Sequence, residues 1–320
     1  MHPRPGIIHE REGASEAVHS SRFTLGRERR APHDDGWGSA QFTGASPLLA
    51  FSLAPVRVRF HDDAPVILSP AVVATPGRSS EYVRQPVTPE GQRTVWFIIR
   101  DDTLARLAST YDPGAMERPE DPVRGWVAPA DPHAAVLARK LERYAFNPDA
   151  PPDPLLLEES MIRVAELSVR TIYASRGAVG TLPRRPSARS RRLHLDAIAT
   201  ACEHICLNSG EALSLAEISD IAELSPGYLC RVFREHLGMS VHQYLTRVRV
   251  LDAVDQLPSW RGRLSALARR SGFSSHAHLV TAFQRLLGVS PSDLDADDAG
   301  RWLERTTPFA TRAGLRRRHA

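Results

Sequence analysis

Proline divides this chain into two parts that cannot be built the same way. Of its 25 prolines, 21 lie in residues 1–186, and between Ser187 and Ser290 only Pro226 and Pro258 occur. Proline fixes φ and lacks an N–H, so helix interiors exclude it. The second region can therefore be helical throughout, and the first cannot. The boundary falls in residues 181–190, a polar stretch broken by Pro183 and Pro186 and without periodicity, which reads as a linker.

Ahead of the linker, β-type runs at 49–60, 66–74 and 94–100 are separated by turn residues, and Val56-Arg-Val-Arg-Phe60 alternates with period two. Two helical patterns follow. One is at 132–144, with Val136, Leu137 and Leu141 on one face; the other, at 154–174, repeats Leu157, Met161, Val164, Leu167 and Ile172 at helical spacing. Residues 46–180 are thus expected to form a small β-barrel or sandwich followed by a helical pair. Residues 1–45 show no clear pattern and are expected to be partly disordered. Beyond the linker, 191–295 reads as all-α and 296–320 as a tail, so the chain as a whole is of the α+β class.

Composition narrows the function classes. The hydrophobic share of 42% and charged share of 24% are those of an ordinary soluble protein. No apolar run is long enough for a membrane span, and Met1 to Ser20 lacks the apolar core of a secretory signal, so the expected location is the cytoplasm. Cys202, Cys206 and Cys230 are too few for a disulfide framework. The net charge is +4; residues 1–186 are neutral, and 187–320 carry 18 basic against 14 acidic residues. That excess is compatible with nucleic-acid binding and does not establish it. All basic residues but Lys140 are Arg, a bias that runs through the whole chain and locates no site.

Two stretches about 50 residues apart share one shape. Leu215-Ala-Glu-Ile-Ser-Asp-Ile-Ala-Glu-Leu-Ser-Pro-Gly-Tyr-Leu-Cys-Arg-Val-Phe233 and Leu264-Ser-Ala-Leu-Ala-Arg-Arg-Ser-Gly-Phe-Ser-Ser-His-Ala-His-Leu-Val-Thr-Ala-Phe283 each pair a short helix with a tight turn and a second helix. The turns end in Ser, which can accept from the free N–H groups of the next helix. Leu229/Phe233 and Leu279/Phe283 are four apart and should face inward. Each unit closes on Leu-Gly, at Gly238 and Gly288, where glycine supplies a left-handed helix exit. Such a helix-turn-helix can lay its second helix in the major groove. A helix at 241–257, roughly 25 Å long at about 1.5 Å per residue, joins the two units and can set them on adjacent groove faces.

These residues resemble the AraC/XylS family. The resemblance rests on Leu224-Ser-Pro-x-x-Leu-x-Arg-x-Phe233, Gly238-Met-Ser-x-x-x-Tyr244, Arg247-x-Arg249, Gly272-Phe-Ser274 and Phe283-x-x-x-x-Gly-x-x-Pro291, and covers about 100 residues from His194 to Leu294. It implies a double helix-turn-helix domain behind a cupin-like sensor or dimerisation barrel, and a regulator of transcription. The implied partners are double-stranded promoter DNA, RNA polymerase, a small-molecule effector and a second copy of the chain. The positions implied to face DNA are Gly227, Cys230 and Arg231 in the first unit, and Ser275, His276, Ala277, Val280 and Thr281 in the second. Arg231 is the expected base reader, because a guanidinium can take guanine O6 and N7 together. Arg234, Arg247, Arg249 and Arg285 are expected at phosphates. The chain departs from the family at Thr281, where Arg is usual, at Leu279, where an aromatic is usual, and at Asp295, where a basic residue is common.

Other constellations read as structural. Cys202-Glu-His-Ile-Cys206 lies on an apolar stripe with Leu195, Ile198, Ala199 and Ile205, which favours core packing over metal binding. His276 and His278 are two apart on a helix and point in different directions, a poor metal pair. His61 is the only histidine between His33 and His133, too few for a metal-dependent cupin enzyme. No catalytic, cofactor or metal residues are expected. Tyr82, Arg84 and Trp96 are candidates for a pocket lining. The competing reading is an enzyme or ligand-binding protein fused to a DNA-targeting module.

Overall fold

The computed structural model describes residues 8–306 apart from 13–14, 21–22, 45, 61–63, 78, 100–101, 120, 124–126, 180–187 and 297–298. Strand β10 (Gln92–Ile99) shows why its N-terminal part is layered. Gln92, Thr94, Trp96 and Ile98 line a cavity, while Val95, Phe97 and Ile99 join the main apolar core. Alternate side chains leave a strand on opposite faces, so one buried on both must lie between two layers. It belongs to a seven-stranded sheet with β1 (Ile8–Glu12), β2 (Ser15–His19), β3 (Phe23–Arg30), β5 (Leu48–Ser52), β8 (Val72–Ala74) and β11 (Val127–Pro129). The order is β1-β2-β3-β10-β5-β8-β11, antiparallel at every ladder. A second sheet, across the cavity, has β4 (Gln41–Phe42), β9 (Glu81–Pro86), β6 (Val56–Phe60) and β7 (Val66–Leu68), in that order.

The expected barrel is not closed. Consecutive strands β5 and β6 pair in different sheets, and so do β7 and β8, so the chain crosses between layers instead of extending one ladder. The alternation at Val56–Phe60 is as read: Val56, Val58 and Phe60 are buried on the cavity side, and Arg57 and Arg59 are less so. Residues 8–42, expected to be largely without pattern, supply β1 to β4. Their signal is weak because the charged run Arg27-Glu-Arg-Arg30 follows the buried Phe23 and Leu25 within one strand. Gly26 is needed for close approach: a Cβ there would lie 2.0 Å from Trp96 Cζ2, the residue opposite it in the ladder. His61 lies outside the described residues.

Three helices cover the larger sheet: α1 (Thr103–Ser109), α2 (Pro132–Ala145) and α3 (Pro154–Val179). Asp131 starts α2 by accepting from the His133 and Ala134 backbone N–H groups, with Pro132 fixing the first turn. The sequence predicts one apolar face for α2; the structure buries it nearly all round, Arg139, Lys140 and Glu142 included. Other elements enclose it on every side, and the charges are answered: Glu142 pairs with Arg29 and Arg93, and Arg139 with Asp255.

The C-terminal part is helical: α4 (Ala188–Leu207), α5 (Leu215–Ile221), α6 (Pro226–Leu237), α7 (Val241–Gln256), α8 (Leu264–Arg270), α9 (His276–Leu287), α10 (Pro291–Ala296) and α11 (Ala299–Thr306). Residues 188–190 of the expected linker already belong to α4; the rest of it lies outside the described residues. The expected tail begins with a helix that buries Trp302 and Leu303.

Two apolar cores tie the halves together. One runs from Phe97 and Leu141 into Val254, Phe283 and Leu287. The other joins Ile67, Ala71 and Val72 of the sheet domain to Ile205, Leu229, Phe233 and Tyr244. Each large apolar side chain moved from water into such a core contributes about 1.5–3 kcal/mol. Polar contacts fix the register of the seam: Tyr244 Oη donates to Ser69 Oγ at 2.8 Å, Lys140 Nζ to the Leu294 carbonyl at 3.2 Å, and Arg57 pairs with Glu203.

Candidate nucleic-acid interface

Local chemistry starts and stops each helix of the first unit. A capping box opens α5: Ser214 Oγ accepts from the Glu217 N–H at 3.1 Å, and Glu217 reaches back to the Ser214 N–H. Glu223 makes the turn in the left-handed region, φ +55°. Pro226 at the first position starts α6; the Ser225 side chain makes no cap bond, contrary to the sequence expectation, and the fixed φ of Pro226 serves instead. Gly238, φ +64°, ends the helix. Leu229, Val232 and Phe233 are fully buried, so the opposite face points outward: Gly227, Arg231 and Arg234 are exposed and Cys230 is partly so.

The second unit repeats the plan with different parts. Its turn residue is Gly272, φ +75°, where a Cβ would lie 2.4 Å from the Ser209 carbonyl oxygen and 2.7 Å from Arg249 Nε. Ser275 does cap α9, accepting from the His278 N–H at 3.1 Å. Leu279 and Phe283 are fully buried, and Ser275, His276, Ala277, Thr281 and Arg285 are exposed, with Val280 partly so. Gln284 joins this outward face, which the sequence reading passed over.

Arg247 and Arg249, expected at phosphates, turn toward the protein. Arg247 Nη1 donates to the Ala130 carbonyl at 2.6 Å, and Arg249 donates from Nε to the Ser209 carbonyl at 2.7 Å and from Nη2 to that of Glu211 at 2.6 Å. Burial lowers the pKa of both, offset in part by Asp131 at Arg247. They brace α7 against β11 and the end of α4.

The structure also draws in Tyr228, which sequence reasoning left out. Its ring lies under the Arg231 guanidinium, 4.5 Å from centroid to Cζ, and its hydroxyl is 2.6 Å from His194 Nε2. The available signal was the i, i+3 spacing of Tyr228 and Arg231 on a helix. Cys202 and Cys206 are buried beside Tyr244, and burial pushes the Cys202 thiol up to about 12, an inert state.

Residues 218–296 match the family model described as a helix-turn-helix domain. The chain is 31% identical over 96 residues to a Streptomyces lividans protein named as a putative AraC-like transcription regulator. Residues 218–296 are an AraC-type helix-turn-helix domain. The chain is also 40% identical over 81 residues to the probable transcriptional regulator LumQ of Photobacterium leiognathi. These matches cover 30% and 25% of this chain, and the matched stretch spans 32% of each relative. Among solved structures, the C-terminal domain of AraT, a response regulator from Geobacillus stearothermophilus, is 28% identical; the match covers 31% of this chain and 84% of that one, with a TM-score of 0.30.

A second site lies in the sheet domain that precedes the AraC-type domain. A cavity of about 680 Å³ separates the two sheets and is lined by Phe60, Tyr82 and Trp96 among others. At its polar end Arg84 clasps Glu28 from two nitrogens, at 2.6 and 2.8 Å, and also donates to Gln92 at 2.9 Å and to Gln41. Burial disfavours its charge, but Glu28 more than compensates and its pKa is raised. Arg84 Nε remains buried without a hydrogen-bond partner among the described residues. The candidates Tyr82, Arg84 and Trp96 thus meet at one place.

Among the described residues no group of three or more His, Cys, Asp or Glu side chains could hold a metal, and no helix is long and apolar enough to cross a membrane.

Proposed function

We propose that the whole chain is a sequence-specific regulator of transcription of the AraC/XylS type, which reads two adjacent major-groove faces of promoter DNA with α6 and α9. The observation that carries this reading is that both second helices bury a Leu/Phe pair and turn Arg231 and Arg234, or Thr281 and Arg285, outward. The 16 residues of α7 give a spacer about 24 Å long, suited to faces roughly 34 Å apart along the duplex. Arg231 reads a base, Arg234 and Arg285 hold phosphates, and Arg247 and Arg249 act by keeping α7 in place.

The cavity between the sheets is the place for a small-molecule effector. Its volume falls in the range of ligand pockets, about 300–1,000 Å³, and its aromatic wall and unused Arg84 donor suit an apolar body with an acceptor group. A homodimer would use α3, since α2 is enclosed within the chain. RNA polymerase is the further partner of such a regulator, and the cytoplasm its place of work. Glu28 and Arg84 neutralise one another, which favours binding over catalysis in the cavity and leaves the fused-enzyme reading without a supporting observation.

The deciding experiment is selection of a randomised duplex pool by the full chain. Two enriched blocks about one helical turn apart are expected. Recovery of no common sequence would rule out specific reading.

A further inference from the structure

The side of α6 that carries Arg231 is built in a way that the helix-turn-helix plan does not require. Arg231 lies over the ring of Tyr228, one turn earlier on the same helix. The Tyr228 hydroxyl is 2.6 Å from Nε2 of His194, which stands on α4, 34 residues away. The His194 ring meets Tyr228 edge-on at 5.5 Å and 73°, and meets His236 at 6.0 Å and 72°. Its Nδ1 is buried without a hydrogen-bond partner among the described residues. The imidazole is thus wedged between two rings and, among the described residues, keeps one polar contact, to Tyr228.

We propose that His194 and Tyr228 form an anchored aromatic platform that positions Arg231, making both residues determinants of the base preference of the first unit. This rests on the reading of α6 as a recognition helix. An exposed Arg side chain has many rotamers and loses that freedom when it pairs with a base. A ring held at the right height lowers the loss, and its face attracts the guanidinium. The ring can do this only if it cannot swing away with the arginine. The bond to His194 prevents that swing, because it ties the hydroxyl to a different helix. Tyr228 and His194 need not touch DNA, so they are positioning residues and Arg231 is the contact.

The test uses the full chain and a duplex that it selects from a randomised pool. Affinity is measured for that duplex, for each single-base variant of it, and for an unrelated duplex. Tyr228→Phe and His194→Phe should each lower the preference for one base by about 2- to 5-fold, the size of an exposed cation–π attraction. Affinity for the unrelated duplex should stay within about twofold, since phosphate contacts carry it. The double variant should be no worse than either single one, as for two links of one chain. His194→Gln, whose amide can still reach the hydroxyl, should restore the preference. If Arg231→Ala abolishes a base preference that Tyr228→Phe and His194→Phe leave intact, the platform is wrong and α6 still reads DNA. Additive losses in the double variant would equally overturn it. If Arg231→Ala changes no base preference, the platform falls together with the reading on which it rests.

Discussion

The two helix-turn-helix units share a plan, a Leu/Phe pair in each second helix and a glycine at each exit, and they are held by different means. The first packs α4, α5 and α6 around its own core and takes from the sheet domain Ile67, Ala71 and Val72, with the Ser69–Tyr244 bond and the Arg57–Glu203 pair. The second shares the main core of the sheet domain: α9 and α7 pack on α2, and His133 Nε2 lies 3.2 Å from the Leu287 carbonyl. Their turns differ too. Glu223 bears the strain of a left-handed φ, whereas Gly272 does not and is hemmed in by Ser209 and Arg249. Their outward faces differ most, with a supported arginine on α6 and Thr281 on α9. Repetition in sequence has given two second helices with different outward faces, and the one that lacks a ring-supported arginine is built into the sheet domain's core.

The contrast at the turns should break first. Gly272→Ala places a Cβ against a carbonyl oxygen in a backbone conformation that alanine resists, so chemical denaturation should show a loss of about 3 kcal/mol or more. A stability unchanged by this substitution would mean that the second turn is no tighter than the first.

Reading should be lopsided. Arg231→Ala should cost about 1–3 kcal/mol of affinity for a specific duplex, and Thr281→Ala less than about 1 kcal/mol. Randomising the half-site under α6 should therefore damage binding more than randomising the half under α9. Equal damage would remove the asymmetry.

The attachment of α7 to α2 should respond to pH. Burial, with the Asp255 carboxylate beside it, raises Asp252 from 3.8 to about 7. A carboxyl whose folded pKa is raised binds more protons in the folded state than in the unfolded one over that window. Its contribution to stability is therefore complete below about pH 4 and is lost as pH rises toward 7. Relative to wild type, Asp252→Asn should gain stability across that interval. A gain of about 1–2 kcal/mol is expected, below the full shift because the residue remains partly open to solvent. A constant difference between the two proteins from pH 4 to 8 would rule this out.

The smallest effect is the complement of the first. Glu223→Gly removes the left-handed strain at some cost in chain entropy and should stabilise by roughly 0.5–1 kcal/mol. Destabilisation would show that the glutamate side chain supports the first turn.

The sequence by itself determined the C-terminal architecture. Helical periods, caps and turn residues are local, and two copies of one pattern placed α5–α6 and α8–α9 with their buried Leu and Phe side chains. It also placed β6, whose alternation is complete, and joined Tyr82, Arg84 and Trp96 as pocket candidates. Tertiary structure decided the rest. The sheets stay open because β5/β6 and β7/β8 cross between layers, a choice that no single strand encodes. Strands β1 to β3 were hidden because residues 8–30 interleave apolar positions with charges in sequence, and Arg27 meets its partner Glu16 only once β2 and β3 are paired. Helix α2 looked one-sided because the layers that enclose its charged residues come from distant segments. Arg247 and Arg249 turned inward for the same reason: their carbonyl partners, Ala130, Ser209 and Glu211, are 38 to 117 residues away in the chain and adjacent only in the fold.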